Sequence, residues 1–264
     1  KNKKLIFNVV GIVIDEYYTL PENIAIKMNK LIQFIRCNHF PMGGMDVVLC
    51  GDDRQTKAIG VSFADSPLYK LLSLDLTKLK PHDNMRLEWD YYTYTNQFRK
   101  DLPSSNIKKL LKDPRFSNKE TGIALFYRNI DVDAYNTKAM NKMVGDKVRV
   151  GKYFYKKDCP IMITQTTKER KDFRRKLYNG TRGTFVGAAD GNVTINIEDE
   201  EITCPSELMQ FKPCFAMTIH KAQCKTLDGI TIYLHSYDNN DITRLLYTAL
   251  TRVRSFSDCC IKEF

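Results

Sequence analysis

Residues 9–16 read VVGIVIDE, an apolar run that ends abruptly in the carboxylates Asp15 and Glu16. Such a run is typical of a buried strand in a parallel sheet, whose functional groups follow the carboxyl end of the strand. There, Asp15 can hold Mg²⁺ through a water molecule, and Glu16 can accept a proton from an attacking water. We therefore expect a buried strand over residues 5–15 that carries these two groups. An ordinary acidic turn is the alternative.

A helix and a second strand are predicted next. The pattern T-x-x-E at Thr19–Glu22, with Pro21 in the first turn, predicts a helix that opens with a capping box. Its apolar residues recur at helical spacing: Ile24, Met28, Leu31, Ile32 and Ile35. Residues 47–50 read VVLC and form the second predicted strand. Strand, helix and strand in this order predict a parallel α/β sheet.

A polar loop, GDDRQ at residues 51–55, follows the second strand. Gly51 lets the backbone turn beside a ligand, and the amide of Gln55 can bind a phosphate or an attacking water. Gly51, Asp52 and Gln55 are therefore candidate nucleotide contacts. A common polar β-turn is the alternative.

The remaining chain predicts a second α/β region that is interrupted by a β-rich segment. We expect Trp89 in the core and a helix over residues 131–143 capped by Asp131. Between residues 150 and 211, short strand-like pieces alternate with Asn-Gly and Asp-Gly turns, which predicts an inserted small β-barrel. The predicted strands are 123–127, 160–164, 183–186, 193–197, 201–204, 215–219, 230–234 and 259–264, and a last helix covers residues 241–253.

Two polar clusters lie near the end of the chain. Residues 218–223 read TIHKAQ, and the hydroxyl of Thr218 and the ammonium group of Lys221 suit a phosphate backbone, with His220 as a further contact. A lone histidine is more often structural. Residues 247–254 read YTALTRVR, where Arg252 could neutralise charge developing on a γ-phosphate. A solvated arginine near a helix end is the alternative.

Composition limits the partners. The net charge of +10 favours a polyanion, because neutralised phosphates release counterions. The basic run 168–176, including Arg174 and Arg175, is a candidate nucleic-acid contact or else a solvated loop. No apolar run approaches the ~20 residues of a membrane span, so we expect no membrane partner. The eight cysteines form no C-x-x-C pair, which favours reduced thiols in an intracellular protein.

In this order, these elements resemble the motifs of superfamily 1 helicases. Residues 14–16 are similar to the Walker B motif, 51–55 to motif III, 84–87 (NMRL) to motif IV, 218–223 to motif V and 247–252 to motif VI. The segments 158–163 (DCPIMI) and 178–184 (YNGTRGT) resemble the apolar strand and Asn-Gly turn of the PIF-type and RecD-like branch, superfamily 1B. In that branch they belong to an SH3-like barrel.

The resemblance implies RecA-like parallel-sheet domains, the first one partial, that use ATP and Mg²⁺. It implies the ranges 1–80 for the first domain, 81–149 and 213–264 for the second, and 150–212 for the inserted barrel. Asp15 would hold Mg²⁺, Gln55 would sense the γ-phosphate, Arg86 and Arg252 would reach it, and Gln223 would contact the nucleotide. The implied partners are single-stranded DNA and forked duplexes, with 5′-to-3′ movement and roles in replication, repair and recombination.

Two departures from the family pattern matter. Cys224 stands where the family usually has glycine, and no G-x-x-x-x-G-K-[ST] motif occurs in the chain. Without that lysine and its amide cradle a motor of this type cannot hold the triphosphate. We therefore expect the remainder of the motor upstream of Lys1. A viral RNA helicase and a non-catalytic nucleic-acid-binding module remain alternatives.

Overall fold

The computed structural model describes residues 8–72, 84, 86–99, 109–167, 176–234 and 242–263. Packing groups the chain into two compact units, unit 1 (Lys1–Leu102 and Asp238–Thr248) and unit 2 (Pro103–Tyr237 and Ala249–Phe264). Residues 84 and 86–99 thus pack with the first unit. The domain ranges predicted from the sequence remain predictions.

Unit 1 is built on two parallel strands, β1 (Gly11–Ile14) and β2 (Asp46–Leu49), joined through the helix α1 (Glu22–Arg36). Ile14 is paired with Leu49, so both strands end at the same edge. The other elements are α2 (Pro67–Lys70), α3 (Trp89–Asn96), most of α6 (Ile242–Leu250) and short 3-10 helices at Tyr17–Thr19, Pro41–Gly44, Phe63–Asp65 and Gln97–Arg99.

The predicted capping box is wrong. Helix α1 begins at Glu22, its N-cap residue is Pro21, and no side chain caps it. Thr19 instead belongs to a 3-10 helix, where its hydroxyl donates to the carbonyl of Glu16 at 2.8 Å. The hydroxyl therefore satisfies a local turn rather than the helix amides.

Several apolar side chains of unit 1 are more exposed than predicted. Val13 is 67% exposed on β1 and Val48 is 53% exposed on β2, although parallel sheets are normally covered on both faces. Leu31 is also exposed, so the buried stripe of α1 is narrower than predicted. Trp89 is 59% exposed, which contradicts its predicted place in the core; it is the first residue of α3.

Unit 2 contains a four-stranded parallel sheet in the order β11-β3-β12-β13. The strands are β3 (Ile123–Phe126), β11 (Ala216–Thr218), β12 (Ile230–Leu234) and β13 (Cys259–Glu263), with the helices α4 (Asn129–Lys142) and α5 (Ile219–Ala222). Asp131 does not cap α4: the N-cap residue is Arg128, and Asp131 forms an ion pair with it at 2.9 Å. The acidic residue lies inside the first turn, where an anion is favourable.

A second sheet interrupts this parallel fold in sequence. Its antiparallel order is β10-β6-β7-β8-β9, formed by β6 (Pro160–Ile163), β7 (Arg182–Ala189), β8 (Asn192–Ile197), β9 (Glu200–Pro205) and β10 (Phe211–Pro213). The sheet has its own core, which includes Phe185, Ile195 and Phe211. A hairpin of β4 (Val148–Val150) and β5 (Tyr153–Tyr155), which the sequence did not predict, precedes it. An SH3-like barrel in this segment stays a prediction.

Within the described part of the chain, every helix is too short or too polar to cross a bilayer.

Candidate functional site

The two strand ends of unit 1 bring the predicted carboxylates next to the predicted polar loop. The backbone N–H of Cys50 donates to the carbonyl of Ile14 at 2.9 Å, and that of Tyr17 donates to Cys50 at 3.1 Å. Asp15 is exposed, and its Oδ1 accepts the N–H of Glu16 at 2.9 Å. Glu16 has φ 51°, a left-handed conformation that turns the chain sharply after β1. Asp15 and Glu16 are therefore presented at the edge of the sheet.

Gly51 lies close to two aromatic rings at the start of the neighbouring loop. A Cβ atom there would lie 3.2 Å from the ring of Tyr17 and 3.4 Å from that of Tyr18, so a side chain would need the Tyr17 ring to shift by a few tenths of an ångström. The two tyrosines that follow Asp15-Glu16 thus pack against the backbone of the polar loop. This packing holds the two strand ends close together.

Gln55 is the buried polar residue of this loop. Its side chain is 8% exposed, and its Oε1 atom is buried without a hydrogen-bond partner among the described atoms. A buried acceptor without a donor costs about 1–3 kcal/mol, so such groups are rare outside functional sites. The unpaired oxygen of Gln55 fits a bound water, and the exposed carboxylate of Asp15 fits a divalent cation.

Asp52 is the centre of a network that the sequence did not predict. Arg99 donates to both carboxylate oxygens of Asp52, at 2.9 and 3.2 Å, and the hydroxyl of Tyr247 donates to Oδ2 at 2.8 Å. Arg99 also donates to the Tyr247 hydroxyl at 3.1 Å. Burial and the charge of Asp52 raise the pKa of Tyr247 above its ordinary value, so the phenol remains a protonated donor. Both carboxylate oxygens of Asp52 are thus hydrogen-bonded to Arg99 or Tyr247, and its role as a nucleotide contact stays a prediction.

Helix α6 makes two further contacts with the loop inside unit 1. Thr248 accepts the backbone N–H of Thr56 at 3.0 Å, and Arg244 donates to the carbonyl of Asp53. The motif III and motif VI segments, far apart in sequence, therefore meet at one site. Of the residues in this network, Arg99 had no sequence signal, and Tyr247 was noted only as part of a motif.

Arg86 occupies a different environment from Arg99. Its side chain is exposed, and its backbone N–H donates to Oδ1 of Asn84 at 3.3 Å. Among the described contacts, none joins the Arg86 side chain to Asp15, to Glu16 or to the polar loop of residues 51–55. Its predicted role at the γ-phosphate stays a prediction.

The second candidate cluster lies in unit 2, at the end of β11. Thr218 is the N-cap of α5 and accepts the N–H of Lys221 at 3.4 Å. The ring of His220 lies 6.2 Å from that of Tyr127, centroid to centroid. Lys221 is exposed; reduced hydration of its ammonium group and the positive charge of Lys212 lower its pKa. Two lysines close enough to repel each other form a favourable place for an anion.

Cys224 stands where the family usually has glycine, and its backbone conformation is the one that glycine favours. Its φ is 63°, a left-handed conformation that glycine adopts without cost. The backbone thus keeps the conformation that suits the glycine found in the family, although the side chain differs.

The other predicted residues are placed as follows. Arg252 is 1% exposed in unit 2, and it donates to Oγ1 of Thr251 at 2.8 Å and to the carbonyl of Lys225 at 3.5 Å. Gln223 is half-buried, and its N–H donates to His220 at 3.3 Å. Arg174 and Arg175 lie outside the described residues. The roles assigned to these four side chains stay predictions.

Comparison with known proteins gives consistent results, although no family model matches the chain. The ATP-dependent DNA helicase Pif1 of Bdellovibrio bacteriovorus is 23% identical over 97% of this chain and 67% of that protein. RecBCD enzyme subunit RecD of Mycolicibacterium smegmatis is 37% identical over 36% of this chain and 16% of that protein. The chain thus spans only a small part of the RecD relative.

Solved structures show the same fold. A crystal structure of Pif1 helicase from Candida albicans superposes with a TM-score of 0.72 at 16% identity, covering 99% of this chain and 74% of that one. Pif1 helicase from Bacteroides, in complex with ADP-AlF3 and single-stranded DNA, gives 0.72 at 19% identity, covering 98% and 72%. The fold is therefore the RecA-like α/β fold of these Pif1 helicase structures. The chain's homologues are Pif1 helicases and RecD, of superfamily 1B.

Proposed function

We propose that this chain is part of an ATP-dependent DNA helicase, which couples ATP hydrolysis to movement along single-stranded DNA and to separation of forked duplexes. The observation that carries the proposal is the meeting of three segments in unit 1. Asp15-Glu16, the loop of Asp52 and Gln55, and helix α6 with Tyr247 join at the edge of one parallel sheet. The homology to Pif1 and RecD supports it.

Each candidate residue of unit 1 is proposed to have a separate role in ATP hydrolysis. Asp15 would hold Mg²⁺ through water, because it is an exposed carboxylate at the strand end. Glu16 would accept the proton of the attacking water. Gln55 would donate from Nε2 to the γ-phosphate, and its orphaned Oε1 would accept from the attacking water. When bound, Mg²⁺ neutralises charge on the phosphates.

Arginines are proposed to supply positive charge. Asp52 and Tyr247 hold Arg99 beside the polar loop of residues 51–55, in the same unit. Arg252, and Arg86 as predicted from the sequence, would add charge compensation during phosphoryl transfer. The phosphate cradle must come from a Walker A segment of the parent, because the chain contains none.

The nucleic-acid partner is proposed to bind at the end of β11. Thr218, His220 and Lys221 lie there, and Lys212 adds a second positive charge. Arg174 and Arg175 are a proposed extension. Because charge attracts the backbone of any strand, binding would be largely independent of base sequence.

Unwinding tests the proposal as a whole. A parent protein that includes the Walker A segment should separate DNA forks in an ATP-dependent reaction, and forks with a 5′ tail should be preferred. The same forks built from RNA test the RNA helicase alternative. ATP-dependent separation of RNA but not of DNA would support that alternative, and binding without ATP turnover would support a non-catalytic module.

A further inference from the structure

Unit 2 contains a groove between helix α4 and the β4–β5 hairpin. This hairpin groove has a volume of about 300 Å³. We propose that it receives a base of a single DNA strand, with Phe154 as the stacking surface. This inference rests on the proposed function and extends the binding surface beyond Lys221. Residues that line the groove include Asp133, Thr137, Lys152, Phe154 and Lys212.

The hairpin holds an aromatic ring at the surface on a rigid support. Tyr155 is buried, and its hydroxyl donates to the carbonyl of Phe211 at 2.8 Å, which fixes β5 to the antiparallel sheet. Because side chains alternate along a strand, Phe154 faces the opposite way from Tyr155 and is 51% exposed. Arg149 pairs with it across the hairpin, and its guanidinium carbon lies 6.0 Å from the ring centroid. Aromatic rings and guanidinium groups are the surfaces on which bases stack.

The charges around the groove suit a phosphate backbone. Lys147, Lys152 and Lys212 line it, and the one carboxylate among the lining residues, Asp133, pairs with Lys212 at 3.5 Å. The groove therefore keeps an excess of positive charge. Lys212 is also close enough to Lys221 to lower the pKa of that residue, so the positive surface continues from the groove to the end of β11.

Polar groups in the groove are committed to internal hydrogen bonds. Thr137 donates to the carbonyl of Asp133 at 2.8 Å, Asn141 accepts from Lys147 at 2.9 Å, and Asn136 accepts the N–H of Ala216 at 2.9 Å. Hydrogen-bond reading of base edges needs uncommitted donors and acceptors. Stacking and charge are what the groove offers, so binding there would tolerate any base.

Affinity for two kinds of strand tests this inference. The chain of residues 1–264 is titrated with a fluorescent oligothymidine and with an abasic strand of equal length. Phe154→Ala should lower the affinity for oligothymidine about fivefold to a hundredfold, the range of one lost stacking contact. It should leave the affinity for the abasic strand unchanged. Tyr178→Ala is the matched control, because Tyr178 is also exposed and has Lys176 5.5 Å from its ring.

A direct readout of stacking uses the single tryptophan of the chain. In a Trp89→Phe background, Phe154→Trp places the only indole in the groove, and oligothymidine should quench its emission. Unchanged emission at saturation, or equal affinity of wild type and Phe154→Ala, would overturn the groove assignment alone. An equal loss in Tyr178→Ala would overturn it as well. If wild type binds no single strand, the proposed function fails together with the groove.

Discussion

The hydroxyl of Tyr247 on helix α6 donates a 2.8 Å hydrogen bond to Oδ2 of Asp52, near the start of the loop that follows β2. Arg99 contacts both partners, at 2.9 Å from Asp52 and 3.1 Å from Tyr247. The three side chains fix the polar loop to the helix inside unit 1. Gln55, three residues after Asp52, is held by the same loop, and its buried Oε1 has no partner among the described atoms.

The first prediction removes the Tyr247 hydroxyl. Tyr247→Phe should lower the free energy of unfolding of unit 1 by about 1.5–3 kcal/mol, because a hydrogen bond to a charged group is lost. Urea unfolding followed by the emission of Trp89, which lies in unit 1, measures this. Tyr178→Phe, a change at an exposed tyrosine of unit 2, should leave that transition within ~0.5 kcal/mol. Equal stability of Tyr247→Phe and wild type would show that the contact is not formed in solution.

A second prediction concerns two glycines on β7. A Cβ atom on Gly183 would lie 2.2 Å from the carbonyl oxygen of Asn196, whereas one on Gly187 would meet no atom within 4 Å. Gly183→Ala should therefore destabilise the antiparallel sheet by about 1–3 kcal/mol, as other overpacked sites do. Gly187→Ala, the control on the same strand, should be nearly neutral. Thermal unfolding followed by circular dichroism compares them, and similar melting temperatures for the two variants would contradict the register of β7 and β8.

The third prediction uses thiol reactivity. Burial raises the pKa of both Cys159 and Cys204 to about 11. A raised pKa means that the reactive thiolate forms only at higher pH, so both thiols should react slowly with iodoacetamide at pH 8. The exposed thiols of Cys37, Cys50 and Cys224 should react first. Peptide mapping by mass spectrometry measures the order; rapid labelling of Cys159 in the folded protein would be inconsistent with the sheet core.

Lys221 provides a fourth prediction. If its ammonium group contacts one phosphate, Lys221→Ala should weaken the binding of every single strand to a similar extent. It should also reduce the slope of log affinity against log salt by about one unit. Titrations at several salt concentrations measure the slope, with Lys30→Ala on α1 as a charge-matched control. An unchanged slope in Lys221→Ala would remove this residue from the binding surface.

The sequence predicted the strand ends of the site but not the hydrogen bonds that join side chains far apart in the chain. The abrupt change from apolar residues to Asp15 and to Gly51 marks two strand ends, and neighbouring parallel strands place such ends together. The bond between Tyr247 and Asp52 joins residues 195 positions apart, and no local pattern encodes such a contact. Arg99 was missed for the same reason, since its role depends on the position of Asp52.

Three features near in sequence were predicted wrongly or missed: the capping role of Thr19, the burial of Trp89 and the β4–β5 hairpin. Thr19 has the sequence position of a helix cap, yet its hydroxyl bonds the carbonyl of Glu16 in a 3-10 turn. Trp89 was predicted to lie in the core, but it begins α3 with its side chain exposed. The β4–β5 hairpin was not predicted, because its strands are three residues each and are too short to show a period.

Steady-state ATP hydrolysis in the presence of single-stranded DNA tests the central claim most directly. In a parent protein that contains the Walker A segment, Glu16→Gln keeps the shape of the side chain and removes the proposed base. ATP binding should persist, while kcat should fall about 10²- to 10⁴-fold, the contribution of a positioned general base. Asp65→Asn, which removes only an exposed ion pair with Lys57 in the same unit, should keep near-normal turnover. Near-normal kcat in Glu16→Gln would contradict the assignment of this strand end as the hydrolytic site.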